Sequence, residues 1–324
     1  MELYKNQEGK LVSISTSNFK VERELQKLVE KNLNHLFSLT LIQSEFPSVT
    51  KEGRKRFDSL CYDEDNNSFV IIEYKNKEKG SVIDQGFTYL SRLLNNKPVF
   101  LHRLGEHFDR HVKENEIDWS SSKVIFISPK FTSYQKESIN FKDLPFELFE
   151  VVRFEGGLVG FSQIEVDSNE SITNDGKSFE QNGLISQVTR EVKVYSEQKH
   201  LDYTTDEIRG IYEEIKERVF EIGDDIKIVP RKEYIGFKTK SNFLDVEFQK
   251  KQLKLFLNMK EGELEDPMEV SRDVSNVGHY GNGDYEVKVN QTTDLDYLLF
   301  LIRQSYNSKL IKEIKKPIKT RNKS

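Results

Sequence analysis

The sequence predicts an α/β protein in two parts, a mixed central sheet flanked by helices and then a smaller α+β domain. Three observations carry this. Up to about residue 154, apolar segments of helical period alternate with short β-branched runs, the pattern of an α/β unit. After about residue 166 the stretch DSNESITNDGKSFEQNG, rich in Ser, Asn, Asp and Gly, interrupts the apolar pattern. Beyond it, closely spaced strand signals lie between two amphipathic helices. The expected division is 1–165, a linker with some local order over 166–200, a second domain over 201–308 and a basic tail over 309–324.

With 324 residues, 36% of them apolar and 11% aromatic, the chain can bury real cores and is not of disordered composition. No run approaches the roughly 18 apolar residues of a membrane span, and MELYKNQEGK has neither a signal-peptide core nor a transit pattern. Cys61 is the only cysteine, so no disulfide can form within the chain, which fits a reducing cytoplasm. A net charge of -5 argues against a uniformly basic nucleic-acid coat but leaves room for a basic groove beside an acidic metal site.

In chain order, residues 2–5 and 10–16 flank a Gln7-Glu8-Gly9 turn and predict a hairpin. Val21, Leu25, Leu28, Val29, Leu33, Leu36 and Phe37 recur at helical spacing, predicting a helix over 21–37. Strands are expected over 39–46, 54–62 and 69–76, the last two joined by the turn-rich DEDNNS. Helices over 81–94 and 99–114 follow, then a strand over 123–128, a short helix over 134–141 and a last strand over 147–154. The second domain predicts a helix over 205–222, then strands over 226–229, 233–238, 243–248 and 252–259. A Gly-rich loop, a strand over 284–289 and a helix over 295–306 close it.

The strand FVIIEYKN ends on two residues that proteins rarely bury. Alternation places Phe69, Ile71, Glu73 and Lys75 on one face and Val70, Ile72 and Tyr74 on the other. A hairpin turning between Asp65 and Asn66 sets Leu60 opposite Ile71 and Asp58 opposite Glu73. Two carboxylates held that close repel unless a cation neutralises them. A hard divalent ion does so with one or two protein carboxylates, can activate a water and can stabilise a phosphoryl oxygen. Lys75 adds a compact charge for the water or the phosphate. The competing reading is an exposed salt-bridge cluster at a strand end, worth little energetically.

The segments VERELQKLVEKNL, GRKRFDSLCYDEDNNSFVIIEYKN and SVIDQGFTYLSRLL resemble the PD-(D/E)XK nuclease superfamily, nearest its standalone nucleases related to the NucS-type catalytic domain. The resemblance covers roughly residues 15–155 and implies a restriction-endonuclease-like core. It implies that Asp58 and Glu73 bind the metal with the Tyr74 carbonyl, that Lys75 is the catalytic lysine, and that Glu30 supports the metal or its water. Gln85 matches the glutamine that orients water or phosphate. Phe57 stands where the family's nominal Pro would be, and Arg56 keeps a basic position; Arg56 and Lys77 are the expected substrate contacts of this domain. The implied cofactor is Mg²⁺, with Mn²⁺ able to substitute, and the implied substrate is nucleic acid, DNA before RNA. Pairing into a homodimer is a further implication.

KEYIGFKTKSNFLDVEFQKKQLKLFLNMK with DVSNVGHYGNGDYEV resembles an uncharacterised domain found at the C-terminus of such nucleases, sometimes labelled a predicted transport protein. With no segment fit to span a membrane, that label finds no support, and a protein partner or target is the expected role. In GHYGNGDYEV the glycines could cradle a phosphate or make a wide turn before the strand; for binding, His279, Tyr280, Tyr234 and Phe237 are the candidates. His102, His107 and His111 lack the H-E-x-x-H pattern and a nearby cysteine, so exposed helix histidines are preferred to zinc ligands. The lysine-rich tail reads equally as a nucleic-acid contact or a solvated terminus. Two functions follow, a Mg²⁺-dependent endonuclease of restriction, phage defence or repair, or a nucleic-acid- or protein-binding module that kept the fold.

Overall fold

A computed structural model describes residues 2–50, 53–75, 81–168, 170–172, 183–278 and 281–315. The chain divides into two compact units, Met1–Val194 and Tyr195–Ser324. Lys77, His279, Tyr280 and tail residues 316–324 lie outside the described residues.

The first unit opens with the hairpin β1 (Tyr4–Gln7) and β2 (Lys10–Ser13), every residue of which is exposed. Then come β3 (Thr16–Ser17), α1 (Glu22–Phe37), β4 (Leu39–Thr50), β5 (Gly53–Asp63), β6 (Ser68–Tyr74), α2 (Val82–Asn95), α3 (Lys97–Phe108), β7 (Lys123–Ser128), α4 (Ser133–Ser138), β8 (Phe146–Phe154), β9 (Val159–Ile164) and α5 (Gly183–Glu191). The seven-stranded sheet runs β3-β8-β7-β6-β5-β4, with β9 also on β8. β4, β5 and β6 are antiparallel neighbours, whereas β6, β7 and β8 run parallel. The sheet is therefore mixed and flanked by helices, as the periodicities predict.

Alternation sorts the side chains between two cores. Leu25, Val29 and Leu33 of α1 pack on Cys61, Val70, Ile72, Tyr74, Ile125 and Ile127. On the other face Phe69, Ile71, Val124 and Phe126 meet Phe87, Leu90, Phe100 and Leu104 of α2 and α3. β6, buried along its whole length, is the central strand of both layers. Its β5 register, Ser59↔Ile72 through Asp63↔Ser68, is the one expected for a turn between Asp65 and Asn66.

Three expectations change. The strand over 147–154 is not the last, because Phe161 and Ile164 of β9 pack against the cores. The third helix stops at Phe108, with Asp109 in the left-handed region at φ 51°, so His111 lies past its end. Within the span expected as linker, α5 buries Ile185 and Val188 in the first unit's core.

The second unit holds α6 (Glu197–Leu201), α7 (Asp206–Phe220), β10 (Lys227–Pro230), β11 (Ile235–Lys238), β12 (Asn242–Phe248), β13 (Leu253–Leu257), β14 (Ser271–Asp273), β15 (Tyr285–Val289) and α8 (Leu295–Lys315). Its six-stranded sheet, ordered β10-β11-β12-β13-β15-β14, is antiparallel throughout, and α8 packs on β12 and β13. β14 lies within the stretch expected as a Gly-rich loop, and α8 continues nine residues past the predicted end at 306. No described helix is long and apolar enough to cross a membrane.

Candidate functional site

β5 is irregular at Asp58. The β4–β5 ladder pairs Ser44 with Ser59 and Phe46 with Phe57 but skips Glu45 and Asp58, and Glu45 sits at φ 51°. Phe57 and Leu60 both join the core under α2, so strict alternation breaks between them. The β5–β6 pairing ends at Ser59↔Ile72. Asp58 fills the gap with its side chain, Oδ2 accepting the Tyr74 N–H at 2.9 Å. Asp58 and Glu73 therefore meet at the strand end, Glu73 lying within hydrogen-bonding reach of Asp58.

α2 supplies the third side of the cluster. Ser81 caps it, accepting from the Asp84 N–H at 3.2 Å, and Gln85 and Tyr89 then fall one turn apart on one face. The Gln85 amide donates to Glu73 Oε1 while its oxygen accepts from the Lys75 ammonium. Tyr89 donates its hydroxyl to Glu73 Oε2 at 2.9 Å and accepts from Gln85 at 2.7 Å. Gly86 lets the helix come this close, since a Cβ there would stand 2.5 Å from the Phe146 ring. The Lys75 N–H bonds the Ile127 carbonyl, which ties the lysine's backbone to β7.

On the opposite face, Glu30 of α1 accepts from the Ser59 hydroxyl at 2.6 Å and from Gln26 at 3.0 Å. The same Gln26 amide nitrogen reaches the Asp58 carbonyl at 2.9 Å. Glu30 is thus joined to Asp58 through Gln26. Ser59 also contacts the Tyr74 hydroxyl at 3.2 Å.

Burial dominates the electrostatics. It pushes the Glu73 carboxyl up to about 8, helped by the neighbouring Asp58 charge and opposed by Lys75, Tyr89 and Gln85. It lifts Asp58 to about 6 against the Tyr74 N–H, with Glu22 and Glu45 adding to the rise. Glu73 is only 8% exposed, so its charge is poorly solvated. The Tyr89 hydroxyl is also pushed up, chiefly by burial, and stays a donor at neutral pH.

Of the residues the sequence nominates, Asp58, Glu73, Lys75 and Gln85 come together, Tyr74 joins through its N–H, and Glu30 joins through Gln26. Arg56 is exposed and faces Glu45 at 3.7 Å. Phe237 is a correction, being wholly buried against Tyr212 and Phe220 and so unavailable to a ligand. Tyr234 is buried, and its hydroxyl accepts from Asn282 at 3.3 Å. Gly283, at φ 92°, lies where a Cβ would strike the Leu257 carbonyl, so the turn before β15 needs glycine for packing. His102 pairs with Glu106 at 3.3 Å, and no group of three or more His, Cys, Asp or Glu among the described residues is arranged to hold a metal.

Comparison with known proteins divides along the same boundary as the two units. A family model described as a domain of unknown function, DUF5655, matches residues 195–309, nearly the whole described part of the second unit. Across both units, a Haemophilus influenzae protein described as "Uncharacterized protein" is 39% identical over 305 residues, covering 94% of this chain and 99% of its own. This chain belongs to that protein's family. In this chain the first unit, which bears the Asp58–Glu73 cluster, is thus followed by a C-terminal DUF5655 domain. No solved structure matches this family member. Gln26, Ser59 and Tyr89, which the sequence reading passed over, were findable in part: Gln26 precedes Glu30 by one helical turn and Tyr89 follows Gln85 by one.

Proposed function

We propose that this chain is a Mg²⁺-dependent endonuclease of the PD-(D/E)XK kind that hydrolyses phosphodiester bonds, with DNA as its substrate. The observation behind it is the meeting of Asp58 and Glu73 at a strand end, beside a lysine held by Gln85. Both carboxyls are held above the ordinary acid range, as expected of a pair that exchanges protons for a cation. The donor set suits a hard ion: the two carboxylates and the Tyr74 carbonyl would hold Mg²⁺ or Mn²⁺, with waters completing the shell. Bound there, the ion would lower the pKa of a water and offset charge on a phosphoryl oxygen.

The rest of the chemistry belongs to the chain. The Lys75 ammonium, steadied by the Gln85 oxygen, can hold a water or a phosphoryl oxygen. Gln85 fixes the separation of Lys75 from Glu73 by bonding both. Tyr89 favours the ionised form of Glu73 by donating to it. Gln26 and Glu30 position the Asp58 backbone from behind. DNA as substrate, and a role in restriction, phage defence or repair, rest on the nuclease resemblance. The DUF5655 domain would choose a target or partner.

A second reading, a binding module with an idle site, draws on the fact that both oxygens of Glu73 already have donors. Cleavage of plasmid, linear, single-stranded and modified DNA, and of RNA, with Mg²⁺, Mn²⁺ or EDTA separates the two. Metal-dependent cutting lost in Lys75→Ala and Glu73→Gln is the expected result. No cutting by wild type on any substrate, with nucleic-acid binding intact, would leave the binding module standing.

A further inference from the structure

The Asp58–Glu73 cluster is not the outermost point of its sheet edge. β5–β6 pairing stops at Ser59↔Ile72, but the β4–β5 ladder goes on from Phe46↔Phe57 to Thr50↔Gly53. β5 is antiparallel to β6, so this hairpin stands beyond the end of β6 that carries Glu73 and Lys75. Residues 53–57 take it about 17 Å past Asp58. β5 begins Gly53-Arg54-Lys55-Arg56, and Arg56, the nearest of these cations to the cluster, is exposed.

The other side of the cluster is built alike. β7 ends at Ser128, level with Glu150, whereas β8 continues to Phe154. β6, β7 and β8 are parallel, so residues 151–154 pass the same edge, paired with β9 on one side and, at Arg153 and Phe154, with β3 on the other. The Glu155 N–H bonds the Ser15 carbonyl and the Ile14 N–H the Leu3 carbonyl, both at 2.9 Å, so the β1–β2 hairpin grows out from that end. All eight of its strand residues are exposed. Its register, Lys5↔Val12 and Gln7↔Lys10, puts Lys5, Gln7, Lys10 and Val12 on one face, two cations with no acid among them. Such a two-stranded ribbon is marginal in water by itself and gains from a partner.

Between these hairpins the ends of β6 and β7 form a floor. β5 and β8 are three strand spacings apart, about 14 Å, and the Asp58–Glu73–Lys75 cluster lies on the floor.

We propose that the β4–β5 and β1–β2 hairpins are the two arms of a nucleic-acid cleft, gripping the phosphate backbone on either side of the cluster. This rests on the nuclease reading and adds to it how the substrate is held. The occupant follows from charge and shape. A polyanion brought up to two carboxylates needs cations flanking them, and both arms carry cations although the chain as a whole has a net charge of -5. A two-stranded ribbon is also of a size that the major groove of a duplex admits.

The test is equilibrium binding of labelled duplex and single-stranded DNA, with Mg²⁺, by the full chain carrying Lys75→Ala, across roughly 50 to 200 mM salt. Arg56→Gln and Lys5→Gln should each weaken binding about eightfold near 0.1 M salt. Each should also lower the slope of log affinity against log salt by about 0.9, the counterion release of one phosphate contact. The two effects should multiply, because the arms are far apart. Lys27→Gln, exposed on α1, should change neither quantity. Equal weakening by Lys27→Gln would reduce the effect to net charge and overturn the arms. An effect in one arm variant alone would overturn the two-sided grip. Unchanged affinity and slope in both, with metal-dependent cutting by the chain that keeps Lys75, would overturn the arms and leave the nuclease standing. A chain that neither binds nor cuts any nucleic acid would overturn both.

Discussion

The Tyr89 hydroxyl donates to Glu73 Oε2 at 2.9 Å, from a helix to the central strand of the sheet. That bond favours the ionised carboxylate, so removing it makes Glu73 harder to deprotonate. Tyr89→Phe should weaken Mn²⁺ binding at pH 7 by about tenfold, the size of a one-unit pKa shift, and recover at higher pH. Calorimetric titration with Mn²⁺ at pH 7 and pH 9 checks this; equal loss at both pH values would assign Tyr89 a packing role only.

Metal-free stability should fall as pH rises. Glu73 titrates near 8 and Asp58 near 6 in the folded chain, against ordinary values of 4.5 and 3.8, so between those limits the folded state binds more protons than the unfolded. The stabilisation is complete below the unfolded values and is lost as pH climbs through the folded ones. Melts in EDTA from pH 5 to 9 should show Tm dropping by about 5 °C, and Glu73→Gln should remove most of the slope. Acids held low, such as Glu24 beside Arg153 and Glu116 accepting the Lys113 N–H and facing Arg110, act in the opposite sense only below this window. A wild-type slope unchanged in Glu73→Gln would place the responsible group elsewhere.

Gln26→Leu should cost more than an ordinary surface change. Its buried amide reaches Glu30, the Asp58 carbonyl and Ser44, and leucine removes that donor from all three, leaving Glu30 the Ser59 hydroxyl. A loss of about 2 kcal/mol in urea unfolding is expected; a change under about 0.5 kcal/mol would show that water replaces it without penalty.

Gly86→Ala tests the approach of α2 to the sheet. The new methyl meets the Phe146 ring at 2.5 Å, so the ring or the helix must move, at about 1–3 kcal/mol. Phe146→Leu in the same chain should restore part of the loss, and additivity of the two changes would show that they do not share the space.

Gly283→Ala is the sharper counterpart in the DUF5655 domain. There the obstacle is the Leu257 carbonyl, which no rotamer change can clear, at a φ of 92°. Destabilisation of about 3 kcal/mol or more is expected by chemical unfolding. A neutral result would mean the turn re-forms in another conformation.

The first unit's fold was legible because its strands alternate cleanly. FVIIEY sorts into two cores, and the turn-rich DEDNNS fixes the β5–β6 register. What the sequence hid are features with no periodic signature. The gap at Asp58 depends on Glu45 leaving the ladder in β4, a residue remote in sequence and unremarkable in type. β9, VGFSQI, is too short and too polar to stand out. α5 was masked by the Ser- and Asn-rich stretch before it, although Ile185, Val188 and Val192 keep a helical spacing. The Gly-rich run in the second unit favoured a wide turn over a phosphate cradle, and the Leu257 carbonyl beneath Gly283 shows what that glycine does.

The exposed β1–β2 hairpin turns the chain's single cysteine into an experimental convenience. Cys61 is fully buried, and burial pushes its thiol well above the usual range, so maleimide reagents have no reactive target in the native fold. Lys10→Cys on the hairpin would then accept one dye per chain at a site whose neighbours are all solvent-facing. Fluorescence anisotropy of that conjugate would test the proposed nucleic-acid capture from the protein's side, with unlabelled candidate substrates of any length or modification compared on one scale.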